Sequence, residues 1–390
     1  MRERRSCGGC KALTTGDKGL RIPAMPINVW DYLREYDELH EEILATVDRV
    51  FRSGRLIFGQ EGVKFEREMA AYVGVSGAVG VNSGTDAIYI ALAAAGVKAG
   101  DEVITVPNTA VPTVSAISTL GARPVFVDIR PDDLLMDIEQ LEAAITPRTT
   151  AIVPVHLFGQ CVDLDPLLAI ARKHGVKVIE DCAQSQGARY KGRQSGSIGD
   201  VSAFSFYPTK VLGGYGDGGM VLSNSEATIK LARSLRFYGM DTAYYAERHG
   251  YNSRLDEVHA AILSLKLPRI EGWIERRRAI AARYRKGLAN SGLVLPQENR
   301  YGIHVYHLYV VEHPTDRDGV LERLAKRDIN CNVSYRWPIH IMRGYAHLGY
   351  REGQFPVAEA KAKRIFSLPM YPHLKDKEVD SVIATLKDVM

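Results

Sequence analysis

Between residues 78 and 206 the chain repeats one device: a short, almost wholly apolar run, then a helical pattern that stops at a glycine. Ala78–Asn82 (AVGVN) precedes a helix expected over Thr85–Ala95 and ended by Gly96. Glu102–Val106 (EVITV) precedes one over Thr113–Leu120 ended by Gly121. Val125–Asp128 and Thr150–His156 (TAIVPVH) continue the series, with a helix running to His174 and its stop at Gly175. Val176–Asp181 (VKVIED) and Val201–Phe206 (VSAFSF) follow. A strand with one wet face alternates polar and apolar residues, and these strands do not. They need cover on both sides, and the intervening helices can supply it. The fold class expected is therefore α/β, with a mostly parallel sheet in a large domain.

Upstream, residues 36–52 and 60–73 read as helices split by a loop over Ser53–Gly59. Downstream, 254–290 reads as a long helix broken near Pro268. Strands at Val305–Val311 and Asn330–Tyr335, a helix at Arg317–Lys326 and two closing helical patterns follow. That change of pattern marks a smaller C-terminal α+β domain. The division expected is a disordered extension over 1–26, a large domain over 27–270 and a small domain over 271–390.

Composition narrows the function classes. The 390 residues are 46% hydrophobic and 25% charged, as in ordinary soluble enzymes. A formal charge of +4 gives no electrostatic case for nucleic acid. No apolar run approaches the roughly 18 residues of a membrane span, and the basic start lacks the apolar stretch of a secretory signal. Five scattered cysteines fit a reducing cytoplasm. Cys7 and Cys10 form a C-x-x-C pair, but with no second pair they read as part of a floppy extension rather than a zinc or redox site.

In open α/β sheets ligands bind beyond the carboxyl ends of the strands. Three polar features fall there. The run SAFSFYPTK delivers Lys210 to a loop, followed at once by GGYGDGG. A lysine held among glycines at the end of a buried strand is poised to lose its proton and form a Schiff base with an aldehyde cofactor. In NSGTDA a strand runs through Ser83-Gly84-Thr85 into a helix, which makes either a phosphate cup or an ordinary helix cap. Asp181 ends VIED and is either a surface carboxylate or a buried one facing a protonated ring nitrogen. Ala183 is small enough to lie under a ring, and Gln184 could bond a ring hydroxyl.

Other motifs carry less. GYGDGG matches a dinucleotide fingerprint, but the MVLSNS after it reads as a strand, not the required helix. The histidines show no metal-type clustering; His304 and His307 read as structural, and Arg276-Arg277-Arg278 as a solvated helix face. A phosphate cup, a ring-nitrogen acid and a Schiff-base lysine, in that order, fit pyridoxal 5'-phosphate on the aspartate-aminotransferase-like fold.

The runs GVNSGTDAI, DEVITVPNTAVPT, VIEDCAQSQGA, FSFYPTKVLGGYGDGG, GYNSRLDEVHAAIL and IFSLPMYP resemble the DegT/DnrJ/StrS family of sugar aminotransferases from about Ile27 onward. The resemblance implies that Lys210 is the Schiff-base lysine and Asp181 the partner of the pyridine nitrogen. It implies Gln184 at the ring hydroxyl, Ala183 at the ring face, and Gly84, Thr85 and Ser205 at the phosphate. Asn252 would reach the phosphate from the other subunit of a homodimer with shared sites. Many members carry an aromatic residue where this chain has Ala110, so Ala110 is expected to open space for substrate or for a different ring neighbour.

INVWDYL, NTAVPT and VSYRWPIH are similar to the subgroup acting on thymidine-diphosphate keto-deoxysugars of antibiotic pathways, many of which aminate C-3. That similarity implies L-glutamate as donor, pyridoxamine 5'-phosphate as the aminated cofactor, and a nucleotide sugar as acceptor. Tyr335, Trp337 and His340 are then either substrate contacts or a packed aromatic turn. Rival readings are amination of a cyclitol ketone, a sugar dehydratase, and a regulator that binds the cofactor without turnover. The dehydratases of the family carry His where Lys210 stands, and the intact lysine, aspartate and phosphate motifs count against the regulator.

Overall fold

The computed structural model describes residues 26–242 and 244–390; Cys7 and Cys10 lie outside them. The apolar runs become β1 (Gly77–Val81), β2 (Glu102–Thr105), β3 (Arg123–Phe126), β4 (Thr149–Ile152) and β5 (Lys177–Asp181). A small hairpin, β6 (Arg189–Tyr190) and β7 (Arg193–Gln194), precedes β8 (Val201–Ser205) and β9 (Gly219–Ser223). Seven of these strands form one sheet in the order β1-β9-β8-β5-β4-β2-β3. Only β9 runs against its neighbours, β1 and β8. It can do so because β8 returns into it through the glycine loop rather than through a crossover helix.

The helices are α1 (Leu33–Arg52), α2 (Gln60–Val73), α3 (Gly84–Ala94), α4 (Val111–Thr119), α5 (Leu164–His174) and α6 (Glu226–Leu235). After them come α7 (Glu257–Lys266), α8 (Ile270–Leu288), α9 (Arg317–Ala325), α10 (Pro356–Ala362) and α11 (Asp376–Val389). Successive strand residues go to opposite cores. Val79, Val81, Ala203 and Val221 pack with α3, α4 and α6. Ala78, Phe204, Met220 and Leu222 pack with α1, α2, α7 and α8. Each fully buried Val, Leu or Phe contributes about 1.5–3 kcal/mol, so neither face tolerates the polar residues of a one-sided strand. The expected long helix starts later than residue 254 and is two helices. Pro268 lies in the tight turn Leu267–Arg269 between α7 and α8, where its missing N–H and fixed φ break the helical bonding. No helix among the described residues is long and apolar enough to cross a membrane.

A separate core joins α8, α9 and α11 to the antiparallel pair β13 (Tyr309–Glu312) and β14 (Ile365–Leu368). The short strands β10 (Met240–Thr242), β11 (Tyr245–Ala246) and β12 (Gly302–Ile303) lie outside the main sheet, β12 pairing with β6. Two strand expectations change here. The strand expected from Val305 begins only at Tyr309, because the N–H groups of Val305 and Leu308 donate to Gly159 and Phe158 instead of to a strand. The strand expected at Asn330–Tyr335 is reduced to one bridge, Asn332 with Ser367. The segment from Ile27, assigned to the large domain, pairs Ile27 with Ile329 and accepts the Met370 N–H at the Val29 carbonyl.

Candidate active site

β1 delivers the chain to Ser83, which is extended and caps α3 by accepting the Asp86 N–H at 3.1 Å. The next free N–H groups, those of Gly84 and Thr85, have no partner among the described residues. They are the orphan donors of a helix start, at the positive end of its dipole. Gly84 has to be glycine, since a Cβ there would lie 2.5 Å from the Cβ of Ser205 and 2.8 Å from its Oγ. The bare backbone thus sits beside a hydroxyl at the end of β8, and together they make a cup for an anion. Ser253 braces it from behind, donating to Asp86 at 2.7 Å and accepting the Asn82 N–H at 3.1 Å.

The two carboxylates of VIED part ways. Glu180 takes His156 Nε2 at 2.9 Å and the N–H groups of Gly196, Ile198 and Gly199, so it is an internal tie. His156, Glu180 and Cys182 are close enough to suggest a metal, yet the other His156 nitrogen already accepts the Val162 N–H at 3.1 Å. Among the described residues the Asp181 carboxylate accepts only the Thr113 hydroxyl at 2.8 Å and the Ala183 N–H at 3.1 Å. Burial pushes its carboxyl above the usual range, against the pull of those two bonds and of the Lys210 cation.

Lys210 follows β8 on a tight turn, its N–H donating to the Tyr207 carbonyl at 2.9 Å. Desolvation brings its amine down to about 8, against the opposing pull of Asp181. Neither Asp181 nor Lys210 has an ion-pair partner among the described residues. Both line one cavity of about 280 Å³, together with Gly84, Thr85, Ala110, Ala183, Gln184 and Ser205.

The other expected site residues are placed differently. Gln184 is already engaged: its Oε1 accepts the Phe158 N–H and its Nε2 donates to the Tyr335 hydroxyl, both at 2.8 Å. Tyr335 itself does not line the cavity. Asn252 is exposed, bridges to Phe237, and does not line the cavity of its own chain. Trp337 is 61% exposed and also off the wall. His340 also lies off the wall of this cavity. It is 1% exposed, bonds Glu359 at 2.9 Å and packs edge-on against Phe355. Thr113 and Ser253 were missed, and their only sequence signal was membership of NTAVPT and GYNSRLD.

These residues fit pyridoxal phosphate: a helix-start cup for its phosphate, a buried carboxylate lacking a cation for its ring nitrogen, and a desolvated amine for its aldehyde. The model of the DegT/DnrJ/EryC1/StrS aminotransferase family matches residues 37–387. A dTDP-3-amino-3,4,6-trideoxy-alpha-D-glucose transaminase of Micromonospora megalomicea subsp. nigra is 52% identical, over 94% of this chain and 99% of its own. The crystal structure of S. venezuelae DesV in complex with a ketimine intermediate superposes with a TM-score of 0.91 at 41% identity, covering 94% of this chain and 98% of that one. The PLP form of the putative sugar aminotransferase Spr1654 from Streptococcus pneumoniae gives 0.85 at 28% identity, covering 94% and 98%.

Proposed function

The chain belongs to the DegT/DnrJ/EryC1/StrS aminotransferase family, and from that premise we propose that it moves the amino group of L-glutamate to the C-3 ketone of a dTDP-linked deoxysugar. The observation that carries the reaction type is the presence of Asp181 and Lys210 on the wall of one cavity, each without an ion-pair partner among the described residues. The name of the 52% identical relative supports the sugar and the carbon.

Pyridoxal phosphate, when bound, supplies an aldehyde for the amine and a ring that withdraws electrons from the carbon losing its proton. The chain's own residues do the rest. Lys210 Nζ is the free amine that would join that aldehyde with loss of water, and it would take the proton from the α-carbon of the donor and deliver one to the sugar carbon. An amine titrating near 8 is suited to both duties, because neither form is scarce near neutral pH. The Asp181 carboxylate holds a proton at the ring nitrogen, and Thr113 and the Ala183 N–H keep it aimed. The cup at Gly84, Thr85 and Ser205 binds the phosphate and so fixes orientation.

The active unit in this reading is a homodimer. Leu56, Ile57, Phe58 and Val63 leave apolar surface exposed near the α2 start, and Asn252 is free to reach a second copy's phosphate. The test is incubation with glutamate and a panel of 3-keto and 4-keto sugar nucleotides and a cyclitol ketone, with products identified by mass and NMR. Amination of a dTDP-3-keto-sugar is expected. Amination of the cyclitol alone, or release of water without gain of nitrogen, would replace the reading.

A further inference from the structure

Lys266 is 1% exposed at the end of α7, far from the usual place of a lysine. Its ammonium donates to Glu35 Oε1 of α1 at 2.5 Å and to the backbone carbonyl of Gly213. The rings of Tyr215 and Trp273 lie at 5.0 and 5.6 Å from it, and the buried Arg277 guanidinium also feels the Glu35 charge. Burying an ammonium costs several kcal/mol unless its bonds are good, and an apolar residue of like volume would pack as well. The charge therefore serves something other than packing.

What it grips is the loop that presents Lys210. The loop leaves β8 at Ser205 and is closed at its base by the Gly214 N–H on the Phe206 carbonyl at 2.7 Å. Gln186 donates to the Ser205 carbonyl at 2.6 Å from beneath. Gly213 is so tightly folded over Pro208 that a Cβ would lie 2.3 Å from its carbonyl oxygen. Lys266 ties this far limb to α1 and α7, and the Tyr215 hydroxyl reaches the same Glu35 oxygen at 3.2 Å. Both ends of the Lys210 loop are thus fastened to rigid elements, one by the sheet and the other by a buried cation.

We propose that Lys266, together with Glu35, is a positioning residue that holds the Gly213 carbonyl and so fixes the loop presenting Lys210. The proposal rests on Lys210 being the amine that carries the cofactor. With the clamp gone the loop loosens and water reaches the amine, while the groups that face Lys210, Asp181 and His307, stay in place.

The test uses the full chain in its pyridoxamine-phosphate form, in which Lys210 is free, and follows labelling of Lys210 by trace acetic anhydride against pH. In Lys266→Met the midpoint is expected to rise by about one unit, since hydration relieves the desolvation that lowers it. The kcat for glutamate is expected to fall about ten- to a hundredfold at unchanged KM, the cost of a displaced reacting group. Glu35→Gln should move both in the same direction by less, and it carries the test if Lys266→Met does not fold. A lowered melting temperature with wild-type midpoint and kcat would overturn the proposal. Borohydride reduction of the loaded wild type, followed by peptide mapping, separates the two ideas. A pyridoxyl group on another lysine removes the underlying reading, whatever the labelling shows.

Discussion

The strand ends and the segment Tyr335–His340 were both singled out from sequence, and the fold treats them in opposite ways. At the strand ends, Thr85 after β1, Asp181 in β5 and Lys210 after β8 are far apart in the chain and share one cavity. Along Tyr335–His340, neighbours in the chain diverge: Tyr335 bonds Gln184, Trp337 faces solvent and His340 bonds Glu359. Parallel strands present all their carboxyl ends to one edge, so topology alone brings distant residues together. An irregular segment has no such rule, and each side chain goes where local packing sends it. Substitutions in the two regions should therefore fail in different ways: function at the strand ends, stability or little at all in the segment.

Lys210→Ala tests the first region most severely. Transamination is expected to fall about 10⁴-fold or more, the upper range for losing a positioned base that is also the nucleophile. The absorbance band of covalently bound cofactor should vanish with it. Wild-type turnover would detach the lysine from the chemistry and break the comparison. In the unsubstituted protein the free amine titrates near 8, so its reaction with an aldehyde should rise about tenfold per pH unit below that value and then level off. Stability has its own sign. Between about 8 and the ordinary 10.5 the unfolded chain binds the extra proton, so Lys210 favours folding increasingly as pH rises through that window. Lys210→Ala should flatten that rise in denaturation of the cofactor-free protein.

Asp181→Asn should retain cofactor, held by the cup, yet lose about 10²–10³-fold in kcat, as for removal of one positioned group at a site of developing charge. Near-normal turnover would show that the buried carboxylate is a structural tie like Glu180.

How much of this was legible follows from the same contrast. The sheet could be read because its strands are apolar on both faces over most of their length, a signal that survives without knowing the neighbours. The C-terminal strands could not, because Val305 and Leu308 look like strand residues and spend their N–H groups on the turn at Phe158–Gly159. β14 lies in IFSLPMYP, a run too short to announce its partner, and α6 went unread after Ser223–Ser225. Within the site, residue types that must be special could be found: a lysine among glycines, small residues at a strand-to-helix turn, an aspartate at a strand end. Thr113 could not, since its bond to Asp181 depends on how α4 approaches β5.

His340→Ala carries the contrast into the second region. It removes the ring from the Glu359 carboxylate, which keeps the N–H groups of Gly353 and Phe355. The expected loss is about 1–3 kcal/mol of stability, read by denaturant unfolding, with kcat within twofold of wild type. A large fall in kcat at unchanged stability would return His340 to the site.

Trp337→Ala should have the smallest effect and sharpens the comparison most. An indole 61% exposed in its own chain buries little on folding, so its removal should leave the melting temperature within a degree or so. It could matter only by covering a bound sugar nucleotide. Base stacking on an aromatic ring is worth about 1–3 kcal/mol where the ring is well placed, but a freely exposed side chain must first be ordered, at about 0.5–1.5 kcal/mol. The balance predicts a rise in KM for the sugar nucleotide of less than about tenfold at unchanged kcat, and no change in KM for glutamate. A larger rise would mean that the indole is already held in place by the bound substrate or a second copy of the chain, and that this segment completes the crevice after all.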